Sequence, residues 1–266
     1  MTVYMKLLAM EVRRFRFPLA GIMLYTLLVE WIVLAQMLRS YAVRLRPRAG
    51  TQLGGGVPQP LTFADAIGNS QRGFALAVAI PFAVLLAYVL IIWYRDWFGK
   101  QPFIYRQLMV PGGRTPMYFA KLTAILLFIF AMLAWQLLLM PVLQLEYAWL
   151  APAWLKEDSL FTDAMYASRI LEMLLPLDFA TFAARYGIGI WLVLLVFTGI
   201  LLERSYRIRG LILAIFYMAL NFIALGLTSS RLYPYEARAL MLTIYGLEVA
   251  VAIWLSLRLI NRKVSV

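Results

Sequence analysis

Six apolar runs, each about as long as a bilayer-crossing helix, constrain this chain more than anything else in it. A lipid interior leaves a backbone no hydrogen-bond partner except itself, and about 20 residues of helix cover the hydrocarbon layer. The runs fall at roughly 18–38, 75–94, 117–140, 186–202, 210–228 and 239–257. They lead to the expectation of an all-α, polytopic membrane protein with about six transmembrane helices. Residues 1–266 read as a single transmembrane domain, since no fixed-period repeat and no soluble-domain boundary interrupts them. Composition agrees: 64% of residues are hydrophobic and only 14% charged, against about a quarter charged in a soluble domain.

The formal charge of +12 would suggest nucleic acid in a soluble chain, but here the basic residues sit between apolar runs, which is a topology signal rather than a nucleic-acid footprint. With the N-terminus inside, the inner segments hold 15 of the 25 basic residues, and the outer segments hold eight of the 13 acids. This bias predicts both termini in the cytoplasm, against the pull of Arg39, Arg44, Arg46, Arg48 and Arg72 in the first outer loop. The first apolar run is too long for the core of a signal peptide and no small-residue cleavage site follows, so it is expected to stay attached. Ahead of it, over 1–17, Tyr4, Leu8, Val12 and Phe15 share one side of a helical wheel, with Lys6, Arg13 and Arg16 opposite. That pattern predicts an amphipathic helix lying among membrane lipid headgroups.

The loops differ in character. "RLRPRAGTQLGGGVPQP" in the first outer loop predicts a tether without a core. The outer segment 141–185 is acidic and aromatic; "ASRILEMLLPLDFATF" within it is too broken by Glu172, Pro176 and Asp178 to span. Trp31, Trp93, Tyr94, Trp97, Trp149 and Trp154 lie near span ends, where aromatic side chains anchor at the interface.

Whole reaction classes drop out. Without cysteine or histidine there is no thiol nucleophile, no imidazole base and no Cys/His zinc site. Gly112 and Gly113 lack the Gly-Lys-Ser/Thr ending of a phosphate-binding loop. No catalytic, cofactor or metal residue is therefore assigned; if ATP drives this protein, ATP and Mg belong to another chain. Two acids, Glu30 and Glu248, fall inside predicted spans. A charge at mid-bilayer costs a few kcal/mol on insertion scales, so each must pair, meet water or accept a proton. They are candidates for a polar route or a conformational contact; Gln36, Gln136 and Asn221 are candidate partners for the plainer alternative.

Between the second and third spans, over 95–116, "FIYRQLMV" makes about two helical turns before Pro111 and the glycines end it. Tyr105, Arg106, Leu108 and Met109 give this short cytoplasmic helix an apolar edge with a basic rim, chemistry that suits a groove on another protein.

In this stretch the chain resembles the permease subunits of type-2 ABC exporters. Those proteins have an inner amphipathic helix, six spans, and a bend between the second and third spans with a leucine, a proline, an arginine and a lysine in sequence. Here "LMVPGGRTPMYFAK" supplies Leu108, Pro111, Arg114 and Lys121. Two features depart from the family pattern. Asp96 lies further upstream than the usual acid, and the long outer segment lies between spans three and four rather than five and six. The resemblance implies a coupling helix that docks cytoplasmic ATPase subunits through Tyr105, Arg106, Leu108, Met109, Pro111, Arg114 and Lys121. It also implies pairing with a second permease copy or a related permease, and export of a substrate the sequence does not identify. Two other classes compete with it: a non-transporting scaffold or sensor that binds a partner through 141–185, and a lipid-acting enzyme using Glu30 or Glu248 for proton transfer.

Overall fold

The structure, a computed structural model, describes residues 3–45, 60–97, 114–231 and 234–262, without the side chains of 45, 97, 161, 224–231, 234–242 and 262. In chain order the elements are α1 (Val3–Leu45), β1 (Leu61–Thr62), α2 (Phe63–Asn69), α3 (Gln71–Trp97), α4 (Thr115–Leu150), β2 (Lys156–Glu157), α5 (Phe161–Ala167), α6 (Arg169–Leu174), α7 (Phe179–Tyr206), α8 (Ile208–Arg231) and α9 (Pro234–Arg262). Five of these, α1, α3, α4, α7 and α9, contain stretches long and apolar enough to cross a membrane. The chain is a multi-pass, all-α membrane protein. The fifth expected span forms α8, a helix of 24 residues whose described apolar part is Ile208–Ile223.

The expected division at Pro18, with an interfacial helix over 1–17 and then a span, does not occur. α1 runs through Pro18 as one helix of 43 residues, roughly 64 Å at 1.5 Å per residue and about twice the hydrocarbon thickness. Proline deletes one backbone bond, but side chains on both sides of it hold the helix to its neighbours. Glu11, Phe15, Ile22, Thr26, Glu30, Leu34 and Leu38 form a buried stripe at near-helical spacing. The expected sidedness of 1–17 does hold: Lys6, Arg13 and Arg16 are exposed, and Phe15 is buried. α4 likewise runs through Pro141 to Leu150 and absorbs the first ten residues of the expected outer segment. Hydropathy finds the lipid-facing part of such helices and misses their packed extensions.

Contacts divide the chain into two compact units, residues 1–14, 85–127 and 183–266 in the first, and residues 15–84 and 128–182 in the second. The second unit has a core where the sequence suggests mostly loop. Leu61, Phe63, Ala66, Ile67 and Phe74 pack with Leu34 and Leu38 of α1, Met140, Leu143 and Tyr147 of α4, and Ala164 and Leu171 of α5 and α6. The chain reaches this core through a two-residue parallel pairing, Leu61 with Lys156 and Thr62 with Glu157, and the Tyr147 hydroxyl donates to the Leu61 carbonyl. Thr62 then starts α2: its hydroxyl accepts from the Asp65 N–H at 3.0 Å while Asp65 accepts from the Thr62 N–H at 3.2 Å, a capping box. Residues 46–59, most of the expected tether, lie outside the described residues; the rest of that loop is built into the core. The stretch "ASRILEMLLPLDFATF" breaks at Pro176, as its sequence suggests, with α6 ending at Leu174 and α7 starting at Phe179. Asp178 caps α7, accepting from the Thr181 N–H and hydroxyl, both at 2.8 Å. Those two bonds hold the exposed Asp178 carboxyl below its ordinary range.

In the first unit α7 is the central helix. Val193, Leu194, Leu195, Phe197, Thr198, Gly199, Ile200, Leu201 and Leu202 are all buried, the pattern of a helix surrounded on every side. Phe197 packs edge-on against Trp93 of α3 at 5.4 Å and Tyr118 of α4 at 5.8 Å. Thr198 shares a 2.9 Å hydrogen bond with Ser256 of α9. The turn from α7 to α8 passes through Arg207 at φ 53°, a left-handed conformation that costs a side-chain-bearing residue roughly 1–2 kcal/mol. It brings Gly210 so close to α7 that an added Cβ would lie 2.0 Å from the Leu202 carbonyl oxygen. A backbone carbonyl inside a helix cannot move aside. Gly210→Ala is therefore expected to lower the thermal midpoint of the purified protein by the equivalent of about 1–3 kcal/mol, whereas Gly246→Ala, with nothing within 4 Å of the new Cβ, should leave it unchanged or slightly raised.

Candidate functional site

The ends of α3 and α4 that bracket residues 98–113 carry the densest polar arrangement among the described residues. The last turn of α3 supplies Arg95 and Asp96, the second turn of α4 supplies Lys121, and α1 supplies Glu11 and Arg14. All five belong to the first unit. Glu11, Asp96 and Lys121 are 1–2% exposed, while the Arg14 and Arg95 side chains remain about a third exposed. Lys121 Nζ donates to Asp96, to Glu11 at 3.3 Å and to the Ile92 carbonyl at 2.7 Å. Its three N–H donors thus meet three acceptors. Arg95 reaches the other Glu11 oxygen at 2.6 Å, and Arg14 reaches Asp96 at 3.1 Å. The Lys121 ammonium also sits 5.3 Å from the Trp93 ring centroid, within cation–π range.

Removing charges from water costs several kcal/mol per ion, and only a closely coordinated, fully connected set recovers that cost. This set is connected, so it fixes the start of α1 against the end of α3 and the start of α4. Tyr4 adds a 2.9 Å bond to Thr123. Seven residues before Lys121, Arg114 donates to the Ile260 carbonyl of α9 at 2.9 Å, tying the head of α4 to a fourth helix.

Of the seven residues expected to dock a partner, Tyr105, Arg106, Leu108, Met109 and Pro111 lie outside the described residues. Arg114 is half-buried and engaged with α9. Lys121 requires a correction: at 1% exposure its ammonium contacts nothing outside the chain, and it serves as the hub of the ion cluster. Sequence reasoning singled out Lys121 but missed its partners. The signal was present, because a lysine one turn inside an apolar run needs an acid, and Glu11 and Asp96 are the acids nearest the same ends of their helices.

The two expected intramembrane acids lie in different units. Glu30, in the second, is fully buried and accepts from Gln136 Nε2 at 2.8 Å; of the candidate partners named from sequence, Gln136 is the one it meets. Beside it Trp135 Nε1 donates to Thr26 at 3.0 Å and to the Met23 carbonyl at 2.9 Å. Glu248, in the first unit, faces Trp191 of α7. A third acid joins them. Glu146, assigned by sequence to an outer loop, lies within α4, fully buried, and neither carboxyl oxygen has a hydrogen-bond partner among the described residues. Its loop assignment failed because α4 continues past Pro141. Among the described residues no group of three or more Asp and Glu side chains is placed to hold a metal ion.

No protein family, no curated protein and no solved structure matches this chain.

The ion cluster makes a sharp prediction. Lys121→Met leaves Glu11 and Asp96 buried without their shared cation, and should cost about 3–5 kcal/mol. Arg95→Gln, at a partly solvated position, should cost markedly less. Thermal unfolding of the two variants in the same lipid nanodisc measures the difference; equal losses would mean the cluster is not organised around Lys121.

Proposed function

We propose that this chain is the membrane-spanning subunit of an ATP-driven exporter of the type-2 ABC kind, pairing with a second permease copy or a related permease and recruiting separate cytoplasmic ATPase subunits through residues 95–116. Both termini lie in the cytoplasm, and the membrane is the plasma (inner) membrane. Supporting this reading is the way both roots of that segment are fastened: Lys121, just after it, binds both Asp96 at its start and Glu11 of α1. A push or pull on the segment then reaches α1, α3 and α4 together. A loop attached to two loosely held helices would spend the same displacement in local bending.

In this mechanism the ATPase hydrolyses ATP with Mg, and this chain carries no chemical step. Leu108, Met109 and Tyr105 supply apolar contact to the ATPase groove, and Arg106 a rim charge. Coupling arises when the two nucleotide states of the ATPase bind the two membrane states with different affinity, because a partner shifts a conformational equilibrium only by its differential affinity. Substrate moves outward, or leaves the inner leaflet for the outer side.

A scaffold or sensor reading draws on one observation. The segment 151–178 is a packed cap that exposes Trp154, Leu160 and Tyr166, a surface on which a partner could rest.

The discriminating experiment is purification of the full chain from its native membrane, followed by assay of the eluate for ATPase activity. Wild type is expected to bring ATPase activity with it, and Leu108→Asp to reduce it at least tenfold at equal recovery of the chain. Leu108 is a cleaner choice than Arg114, whose bond to Ile260 would confound docking with packing. ATPase recovery unchanged by Leu108→Asp would refute docking at this segment. A wild-type chain that carries no ATPase would favour the scaffold.

A further inference from the structure

Away from the ion cluster, α7, α8 and α9 bring an acid and a set of aromatic side chains together within the first unit. Glu248 lies one turn after Tyr245 on α9. Trp191 of α7 stands edge-on to the Tyr245 ring at 5.4 Å and to the Phe222 ring of α8 at 5.7 Å. The Tyr217 and Tyr245 hydroxyls both lie within electrostatic range of the Glu248 carboxyl. Asn221, one turn after Tyr217, uses its amide N–H on the Tyr217 carbonyl at 2.7 Å and keeps its oxygen for something else. The Trp191 indole faces Glu248 without making a hydrogen bond of full geometry.

Four polar atoms of this group are shut from solvent without a hydrogen bond of full geometry, although Trp191 lies toward Glu248 and Tyr217 toward Asn221. Glu248 Oε2, Asn221 Oδ1, Trp191 Nε1 and Tyr217 Oη each lack a hydrogen-bond partner among the described residues. Buried polar groups are nearly always satisfied, and a cluster of exceptions calls for an explanation. Lys121 meets an acceptor with each of its three donors; these four atoms meet none in full geometry. Phe222 is 54% exposed, so the aromatic cluster opens to the surface of the unit.

We propose that Glu248, Asn221, Trp191, Tyr217, Tyr245 and Phe222 form a binding site for a lipophilic organic ammonium ion. A protonated amine donates to Glu248 Oε2 and Asn221 Oδ1, its charge lies against the electron-rich ring faces, and its apolar body leaves past Phe222. A single carboxylate among aromatic rings is a poor match for Ca²⁺ or Mg²⁺, which require six or more oxygens. An anion would meet the Glu248 charge. The proposal goes beyond the export reading, which names no cargo, and it stands whether or not an ATPase docks, since binding is tested on the purified chain alone.

The test is fluorescence polarisation of rhodamine 6G, a lipophilic cation with N–H donors, titrated with the full chain in phosphatidylcholine nanodiscs and corrected against empty nanodiscs. Wild type is expected to bind saturably and to prefer rhodamine 6G over anionic fluorescein. Glu248→Gln, nearly identical in shape, should weaken binding at least tenfold. Tyr245→Ala, which keeps the acid and removes a wall, should weaken it at least threefold. Glu146→Gln, outside the group, should bind as wild type. If Glu248→Gln does not yield a monodisperse protein, Tyr245→Ala and Asn221→Leu decide the matter. The proposal is overturned by absence of saturable binding to wild type, by equal affinity for fluorescein, or by unchanged affinity in the altered site; the last result would make Glu248 a neutral, protonated core residue.

Discussion

The cost of removing charge from water shapes this molecule more than any apolar contact does. In a chain surrounded by lipid, apolar side chains gain little by choosing one another over acyl chains, so packing alone sets helix partners weakly. A buried lysine is far more selective. Lys121 must find acceptors or give up its charge, and it finds three, on α1 and α3, with no donor left over. The cluster therefore fixes which helices meet at that end of the first unit, and in which register. Tyr4 to Thr123 and Arg114 to Ile260 extend a contact whose geometry the charges already set.

The fold class was legible because a period and a length determine it. Apolar runs of about 20 residues allow only a helix in lipid, and each of the six runs lies in a helix. Helix ends were less legible. Pro18 and Pro141 mark breaks in a sequence reading, yet α1 and α4 pass through them. The missing backbone bond is a local cost, while the residues that outweigh it, Glu11, Phe15, Leu143 and Tyr147, act through partners far away in the chain. The same distance hid the core around Phe63 and Ile67: their neighbours on α4 and α5 lie about 75 to 100 residues on, and only two residues of strand join them. Glu30 and Glu248 were legible as intramembrane acids. Gln136 stood among several candidates for Glu30, and choosing it needs the phase between α1 and α4, which no single segment encodes.

Docking residues posed a different problem. The spacing of Leu108, Pro111, Arg114 and Lys121 suggests one functional set, but burial separates its last member. Arg114, just before α4, and Lys121, in its second turn, are seven residues apart, yet the first meets α9 and the second closes on α1 and α3. A motif read along the chain mixes residues that touch a partner with residues that brace the element presenting them. Only accessibility separates the two roles, and a lysine at 1% exposure belongs with the bracing.

The chain therefore contains two kinds of buried polarity, with different physical consequences. Around Lys121 three acceptors take its three donors, and Glu11 and Asp96 each meet an arginine as well, so a rearrangement must break several charge-assisted bonds at once, and helices joined this way move as a block. Around Glu248 four buried polar atoms lack a hydrogen bond of full geometry. An idle buried carboxyl is tolerable only in neutral form or with a visitor, and a visitor that supplies the missing contacts gains binding energy the resting protein has left unused. A transporter needs both: a stiff connection that carries displacement, and a site that is incomplete when empty. That their separate chemistry follows from the same rule, satisfaction of polar groups denied water, links the proposed entry of force at residues 95–116 with the proposed ammonium site on α7, α8 and α9.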